Sequence, residues 1–254
     1  MVGATYVTEH DVVIWGVVAL CVLVGGLAKG IIGLGMPLVS VPLLSYVMPV
    51  REAVALMALP MLLTNTYQML NGGRMGTIVS RFWILLVALV LGIATGGYFL
   101  TALASSVLAA VLGIVVLISS IIALLRGRRA IPRSIERWAN PAVGLGAGII
   151  GGIAGLWGAP LGAYLAALQM DKEDFISAVG VSFGIGSVAL LLTLIGYGAF
   201  GIPQLITSGM ALVPAFIGLL LGQGLRNLVS QETFRRAVLG TLMITGLLLV
   251  YRSV

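Results

Sequence analysis

The chain has 254 residues, of which 60% are hydrophobic and 9% are charged. Soluble domains are about 45–50% apolar and about 25% charged, so a soluble globular protein is excluded and an all-α integral membrane protein, solvated by membrane lipid, is predicted. The net charge of +6 comes from basic residues between apolar runs, where they indicate membrane topology and not a nucleic-acid partner. At about 20 residues per crossing, the chain has room for about eight to ten membrane segments.

The first half of the chain divides into five apolar segments. The stretch 12–50 is interrupted at Gly33-Leu-Gly-Met-Pro37, which predicts a full crossing, a break and a short half-helix. A long helix is expected over 53–73. The run 82–125 is long enough for two helices and divides near residues 101–106.

The second half repeats this order. The run 138–170 is too long for one helix and too short for two, and it is interrupted at Gly155-Leu-Trp-Gly-Ala-Pro160. The run 175–225 divides at the turn-rich residues 196–203, and 237–251 forms the last segment.

Two ordered series of glycines support a duplication. They lie about 122 residues apart and consist of Gly26, Gly30 and Gly33 in the first half and Gly148, Gly152 and Gly155 in the second. Each series leads into a Gly-x-Pro, which ends at Pro37 or at Pro160. We therefore predict an N-terminal transmembrane repeat over 1–125, a basic cytoplasmic linker over 126–137 and a C-terminal transmembrane repeat over 138–254.

The number of segments predicts that the two repeats are inverted. Each repeat has five segments, and an odd number turns the second copy over in the membrane. With the N-terminus outside, eleven of the 14 basic residues fall in inside loops, Arg51 and Arg252 fall outside, and Lys29 lies within the membrane. The expected fold has about eight full transmembrane helices plus two short half-membrane helices. Whether the short helices cross or re-enter is left open.

The two breaks are candidate binding sites. Inverted repeats with interrupted helices are typical of secondary transporters, and a half-helix N-terminus offers unpaired N–H groups and a positive dipole end to an anion. The candidate residues are Gly33, Gly35 and Pro37 in the first break and Gly155, Trp157, Gly158 and Pro160 in the second. Trp157 either lines a cavity or plugs it. Gly26, Gly30, Gly148 and Gly152 are instead expected to let helices pack closely.

Lys29 is the most informative single residue, because a lysine within an apolar segment is costly and marks function by default. The alternative is that it extends to the membrane interface. Asn65 and Gln68 on the helix after the first break, and Ser187 at the position that matches Asn65 in the second half, are further candidates. Hydrogen bonding between helices is an equal alternative for these three.

The distribution of acidic residues and histidine excludes several classes of function. All eight acidic residues lie at loops or segment ends, and the single histidine, His10, is N-terminal. The membrane interior therefore lacks the ligands of a metal-cation carrier and the catalytic base of a membrane hydrolase. We expect no enzyme activity, no metal and no cofactor. One buried cation without a carboxylate suits an anionic substrate.

Four motifs together resemble the sulfite exporter TauE/SafE family over nearly the whole chain. They are Gly26-Leu-Ala-Lys-Gly-Ile-Ile-Gly33, Gly35-Met-Pro37, Leu156-Trp-Gly-Ala-Pro160 and Met170-Asp-Lys172. The resemblance implies export of sulfite or an organosulfonate such as sulfoacetate from a bacterial cell, across its inner membrane, with the two breaks and Lys29 at its core. A carrier of another small anion or a neutral solute, or a membrane scaffold or accessory subunit, is the alternative. A homo-oligomer is left open.

Overall fold

The computed structural model describes residues 9–33, 35–125, 131–226, 228 and 231–253. This part of the chain folds into ten helices and contains no strand. The helices are α1 (Glu9–Ile32), α2 (Met36–Leu44), α3 (Val50–Leu70), α4 (Met75–Ala102), α5 (Ser105–Leu125), α6 (Arg133–Ala154), α7 (Gly158–Ala167), α8 (Lys172–Gly196), α9 (Ile202–Leu225) and α10 (Gln231–Ser253).

The helix ends agree with the predicted breaks. The two short helices have nine residues (α2) and ten residues (α7), and each follows a Gly/Pro interruption. The division expected near 101–106 lies between Ala102 and Ser105, and the division expected at 196–203 lies between Gly196 and Ile202. Helix α6 begins at Arg133, within the predicted linker 126–137, of which residues 126–130 lie outside the described part of the chain.

Five of the described helices contain stretches that are long and apolar enough to cross a membrane: Val13–Ile32, Val50–Leu70, Met75–Ala102, Lys172–Gly196 and Ile202–Leu225. Helices α5 and α10 carry shorter apolar stretches, over Ser105–Ile121 and Val238–Tyr251. These features are those of a multi-pass, all-helical membrane protein. The count of eight full crossings stays a prediction.

Glycines bring two helix pairs into close backbone contact. Helix α1 packs on α9, and α4 packs on α6. A Cβ atom built on Gly26 would lie 2.4 Å from the carbonyl oxygen of Ala215, and one built on Gly152 would lie 2.3 Å from that of Ile93. Gly30 and Gly148 meet backbone carbonyls in the same way. The prediction that these four glycines serve helix packing is confirmed.

Helices α3 and α8 form the centre of the structure. They are the most buried of the five candidate spans. They run antiparallel, because Gly180 packs on the backbone of Gln68 whereas Ser187, further along α8, bonds to Asn65, which lies earlier on α3. The two short helices contact this central pair. The breaks that precede α2 and α7 therefore lie beside polar side chains of α3 and α8.

Candidate functional site

Each helix break is shaped by a glycine in a left-handed conformation. Gly33 ends α1 with φ of +83°, and its N–H donates to the carbonyl of Lys29 at 2.7 Å. Gly155 ends α6 with φ of +73°, and its N–H donates to the carbonyl of Gly151 at 2.6 Å. Residues with a Cβ rarely adopt this conformation. Gly35, with φ of +93°, then starts α2.

The two breaks meet at one small cavity. A Cβ atom built on Gly155 would lie 3.8 Å from Cβ of Pro37. This central cavity has a volume of about 20 Å³ and is lined by Lys29, Gly35, Met36, Pro37, Leu38, Met61, Asn65, Gly155, Leu156, Trp157, Gly158, Ala159 and Phe183. The first turns of α2 and α7 both contribute to this lining. Amides in a helical first turn have no intrahelical acceptor, so they can donate to a ligand.

Lys29 brings a buried ammonium group to the central cavity. Its residue is 7% exposed, and Nζ donates to Thr64 Oγ1 at 3.1 Å and also to Asn65 Oδ1. The Thr64 hydroxyl in turn donates to the carbonyl of Pro60 at 2.7 Å. Within the described residues, no carboxylate lies at ion-pair distance from Nζ. An ammonium group has three protons, so one remains for a ligand after the two bonds to α3.

Asn65 extends this hydrogen-bonded chain from α3 to α8. Its Nδ2 donates to Ser187 Oγ at 2.8 Å, and the Ser187 hydroxyl donates to the carbonyl of Phe183 at 2.8 Å. Both side chains are buried. Every bond in the chain has a proper donor and acceptor. The network therefore fixes the Asn65 amide with its oxygen toward Lys29.

Trp157 both lines the central cavity and fills space beside it. The residue is 1% exposed. Cβ atoms built on Gly151 and on Gly186 would lie 2.7 Å and 3.0 Å from its indole ring. Counted along the chain, Gly151 is the counterpart of Lys29, and Trp157 is the one residue that the second break has in addition to the first. In the second half, the indole of Trp157 thus occupies the space beside Gly151. The first half has Lys29 at the position that corresponds to this glycine.

Four predicted residues lie outside the lining of the central cavity. One of them, Ser187, is connected to it only through its hydrogen bond with Asn65. Gly33 caps α1 without contributing to the lining. Gln68 is half-buried, one turn beyond Asn65, and its backbone packs on Gly180. Pro160 lies in the first turn of α7 and borders a larger neighbouring cavity.

Met61 and Phe183 also line the central cavity but were not predicted from the sequence. Each lies four residues before a predicted polar residue, Met61 before Asn65 and Phe183 before Ser187. Residues four apart share a helix face, so their spacing from Asn65 and Ser187 could have identified Met61 and Phe183.

The chemistry of the central cavity is that of hydrogen-bond donors. Across the described residues, no three His, Cys, Asp or Glu side chains cluster as a metal site requires. Lys29 and the first-turn amides of α2 and α7 supply positive charge and N–H groups. Such a donor set can surround an oxyanion.

A comparison with protein families identifies the chain. The family described as "Sulfite exporter TauE/SafE" matches residues 18–249. No curated protein and no solved structure matched the chain. The match covers all ten helices at least in part, including both breaks and Lys29. The family is one of membrane transporters of sulfur-containing anions and not of enzymes. The chain therefore belongs to the sulfite exporter TauE/SafE family.

Proposed function

We propose that this protein exports a small sulfur-containing anion, sulfite or an organosulfonate, by alternating access across the bacterial inner membrane. The observation that carries the proposal is the position of Lys29, whose ammonium group lies at the junction of the two helix breaks without a carboxylate among the described residues near it. A buried charge of this kind is costly unless it is paired. A substrate anion would supply the missing negative charge.

The groups around Lys29 suit an oxyanion with several acceptor oxygens. Thr64 and Asn65 hold Nζ in place, which leaves one N–H for the ligand. The first turns of α2 and α7 face the central cavity from two directions. A sulfite or sulfonate group has three oxygens and could accept from the ammonium and from both helix ends. Because no carboxylate of the described residues lies beside Lys29, an anion is favoured over a cation or a zwitterion.

Contacts between the two halves support the inverted-repeat arrangement. Helix α1 packs on α9, and α6, the counterpart of α1, packs on α4, the counterpart of α9. The breaks have matching capping bonds, from Gly33 to Lys29 and from Gly155 to Gly151. In such folds, one repeat rocks against the other around a central site.

Polar contacts near the helix ends support the proposed topology. Arg74 precedes α4 and bonds to Asp174 at 2.9 Å and to Glu173 at 2.7 Å, which places two predicted inside loops together. The hydrogen bond that Arg74 donates to Asp174, together with the charge of Glu173, raises the pKa of Arg74. Arg51 bonds to the carbonyls of Leu100 and Thr101, which joins two predicted outside segments.

The membrane potential favours export. Moving one negative charge out of a cell whose interior is negative gains about 2.3 kcal/mol per 100 mV. Export of an anion therefore requires no coupling ion. A proton or sodium flux stoichiometric with the substrate would contradict this part of the proposal.

Thermal stabilisation by anions tests the proposal. Purified wild-type protein, Lys29→Met and Lys172→Met would be melted with sulfite, methanesulfonate, sulfoacetate, chloride and phosphate. Lys172 is exposed, so its replacement removes the same charge outside the central cavity. A ligand at a hundred times its Kd stabilises by about 2.7 kcal/mol. We expect a sulfur-containing anion to stabilise wild type and Lys172→Met but not Lys29→Met.

The same experiment identifies the alternatives. Equal stabilisation of all three proteins would show that Lys29 does not bind the anion. If no anion stabilises wild type, then a neutral solute becomes the leading substrate. A protein that neither binds nor moves any solute after reconstitution would be a scaffold or an accessory subunit.

A further inference from the structure

A large apolar cavity adjoins the central cavity. It has a volume of about 670 Å³, and segments of α5, α7 and α10 line most of it. We call it the α5–α7–α10 cavity. Aliphatic side chains and alanines dominate its lining, among them Val115, Ile118, Ala163, Val238 and Leu239. Its lining shares Gly35, Leu38, Gly158 and Ala159 with that of the central cavity. The two cavities therefore meet at the first turns of α2 and α7.

The central cavity is too small for an organic anion. Its volume is about 20 Å³, whereas that of the adjoining α5–α7–α10 cavity is about 670 Å³. Anything attached to an anionic group at Lys29 must therefore extend into a neighbouring space. The structure offers that space on one side, through the residues shared with the α5–α7–α10 cavity.

A second cavity has the same volume as the α5–α7–α10 cavity and can be compared with it. It also measures about 670 Å³, and its lining includes Arg51, Glu52 and Gln204. It shares no lining residue with the central cavity. The two cavities therefore do not differ in size. The α5–α7–α10 cavity differs from the second cavity because it continues into the central cavity, where the ammonium group of Lys29 lies.

The α5–α7–α10 cavity also lies on the side from which an exported molecule would enter. Ile131, which precedes α6, and Phe175, in the first turn of α8, border it. The predicted topology places both of these segments at the inside face. A solute from the cytoplasm would reach Lys29 through the α5–α7–α10 cavity.

We propose that the substrate is an organic anion with an apolar tail, which binds with its anionic group at Lys29 and its tail in the α5–α7–α10 cavity. This inference rests on the proposed function and restricts the substrate to organic anions, since inorganic sulfite has no tail. Each methylene group that enters an apolar site gains binding energy from the hydrophobic effect. The affinity for a series of sulfonates should therefore rise with chain length.

The test is a chain-length series measured on wild-type protein in lipid nanodiscs. The probes are sulfite and the linear methane-, butane- and hexanesulfonates, with hexan-1-ol as a tail without charge. We expect Kd to fall by about threefold to fourfold per methylene. Ala163→Phe, within the α5–α7–α10 cavity, should remove the dependence on chain length and leave methanesulfonate binding intact. Ala199→Phe, in the second cavity that shares no lining residue with the central cavity, is the matched control.

The outcomes separate this inference from the proposed function. If methanesulfonate and hexanesulfonate bind wild type equally, then the tail site is wrong while anion binding at Lys29 stands. If hexan-1-ol binds as tightly as hexanesulfonate and does so in Lys29→Met as well, then the cavity takes lipid-like tails and not the substrate. If neither sulfite nor any sulfonate binds, the proposed function fails first. The wild-type series gives these answers even if Ala163→Phe does not fold.

Discussion

Asn65 and Ser187 are joined by a hydrogen bond of 2.8 Å although they lie 122 residues apart in the chain. That separation is the spacing of the two glycine series, so each residue bonds to its own counterpart in the other half. Each is also the sixteenth residue of its helix, about 22 Å along from the helix start. If the two halves are inverted repeats, as predicted, counterparts touch only near the two-fold axis that relates them. The prediction therefore places the polar centre of the protein on that axis.

Replacing Asn65 by aspartate should weaken anion binding. The new carboxylate would lie beside Nζ of Lys29 and would take the place of the substrate as its counter-ion. Two opposite charges about 4 Å apart attract by about 4 kcal/mol at an effective dielectric constant of 20, which is far more than the 1.4 kcal/mol that equals a tenfold change in affinity. We expect Asn65→Asp to weaken sulfonate binding at least about tenfold, as measured by titration calorimetry.

Gln68→Glu is the matched control for that change. It introduces the same charge one helical turn away, outside the lining of the central cavity. Anion binding should change by less than about threefold, because the added charge does not contact Lys29. Equal losses in the two variants would mean that the charge of the whole protein, and not the local ion pair, controls binding.

Removing the Ser187 hydroxyl should destabilise the protein. Ser187→Ala leaves the buried Nδ2 of Asn65 without its acceptor, which costs about 1 kcal/mol in a membrane protein. Ser120→Ala removes a buried hydroxyl that has no partner within the described residues, so it should leave stability unchanged or raise it. Unfolding in mixed detergent micelles measures both. A larger loss for Ser120→Ala would contradict the hydrogen-bond assignment.

The close contact between α4 and α6 predicts opposite effects for two glycines of the same helix. A Cβ atom on Gly152 would lie 2.3 Å from the carbonyl oxygen of Ile93, whereas one on Gly146 meets nothing within 4 Å. Gly152→Ala should therefore lower the free energy of unfolding by about 1–3 kcal/mol through overpacking. Gly146→Ala should raise it by up to about 1 kcal/mol, because alanine is the better helix former. Loss of stability in both variants would argue against the specific contact.

Trp157 should be the most important tryptophan for stability. Its buried indole packs on Gly151 and Gly186, so Trp157→Ala opens a void beside the central cavity and should cost about 3–5 kcal/mol. Trp138 is 78% exposed, and Trp138→Ala should change stability by less than about 0.5 kcal/mol. The melting temperatures of the two variants provide the comparison. Similar values would show that the indole of Trp157 is not packed as described.

Cysteine labelling tests whether the repeats are inverted. Met48 and Met170 are counterparts 122 residues apart, and each lies between a short helix and the next long helix. In a Cys21→Ala background, Met48→Cys should react with a membrane-impermeant thiol reagent from outside the cell. Met170→Cys should react only in inside-out vesicles. Labelling of both from one side would exclude the inverted arrangement.

The sequence predicted the helices and their breaks well because those features are local. A glycine with positive φ can end a helix and a proline suits the first turn of the next one, so α2 and α7 followed from the residues Gly33 to Pro37 and Gly155 to Pro160. The meeting of the two breaks could not be predicted in this way. It depends on how α3 and α8 cross, and no pattern within either helix encodes that crossing.

The residues of the candidate site also fall into those that the sequence could predict and those that it could not. Lys29 stood out because a charge within an apolar run needs an explanation, and Asn65 and Ser187 followed from polarity and the repeat spacing. Gln68 has the same polarity as Asn65 but lies one turn beyond the cavity. Met61 and Phe183 are apolar and gave no signal of their own. Only packing distinguishes a polar residue at the cavity from one beside it.

The difference between Lys29 and its counterpart Gly151 bears on whether the two halves are interchangeable. Two identical halves would bring two ammonium groups to the same cavity, where their repulsion would work against assembly and against binding of a single anion. In this chain the second half has Gly151 at the position of the lysine and one residue more, Trp157, whose indole covers Gly151. The two halves are therefore not interchangeable. A chain built from two copies of the first half should assemble poorly.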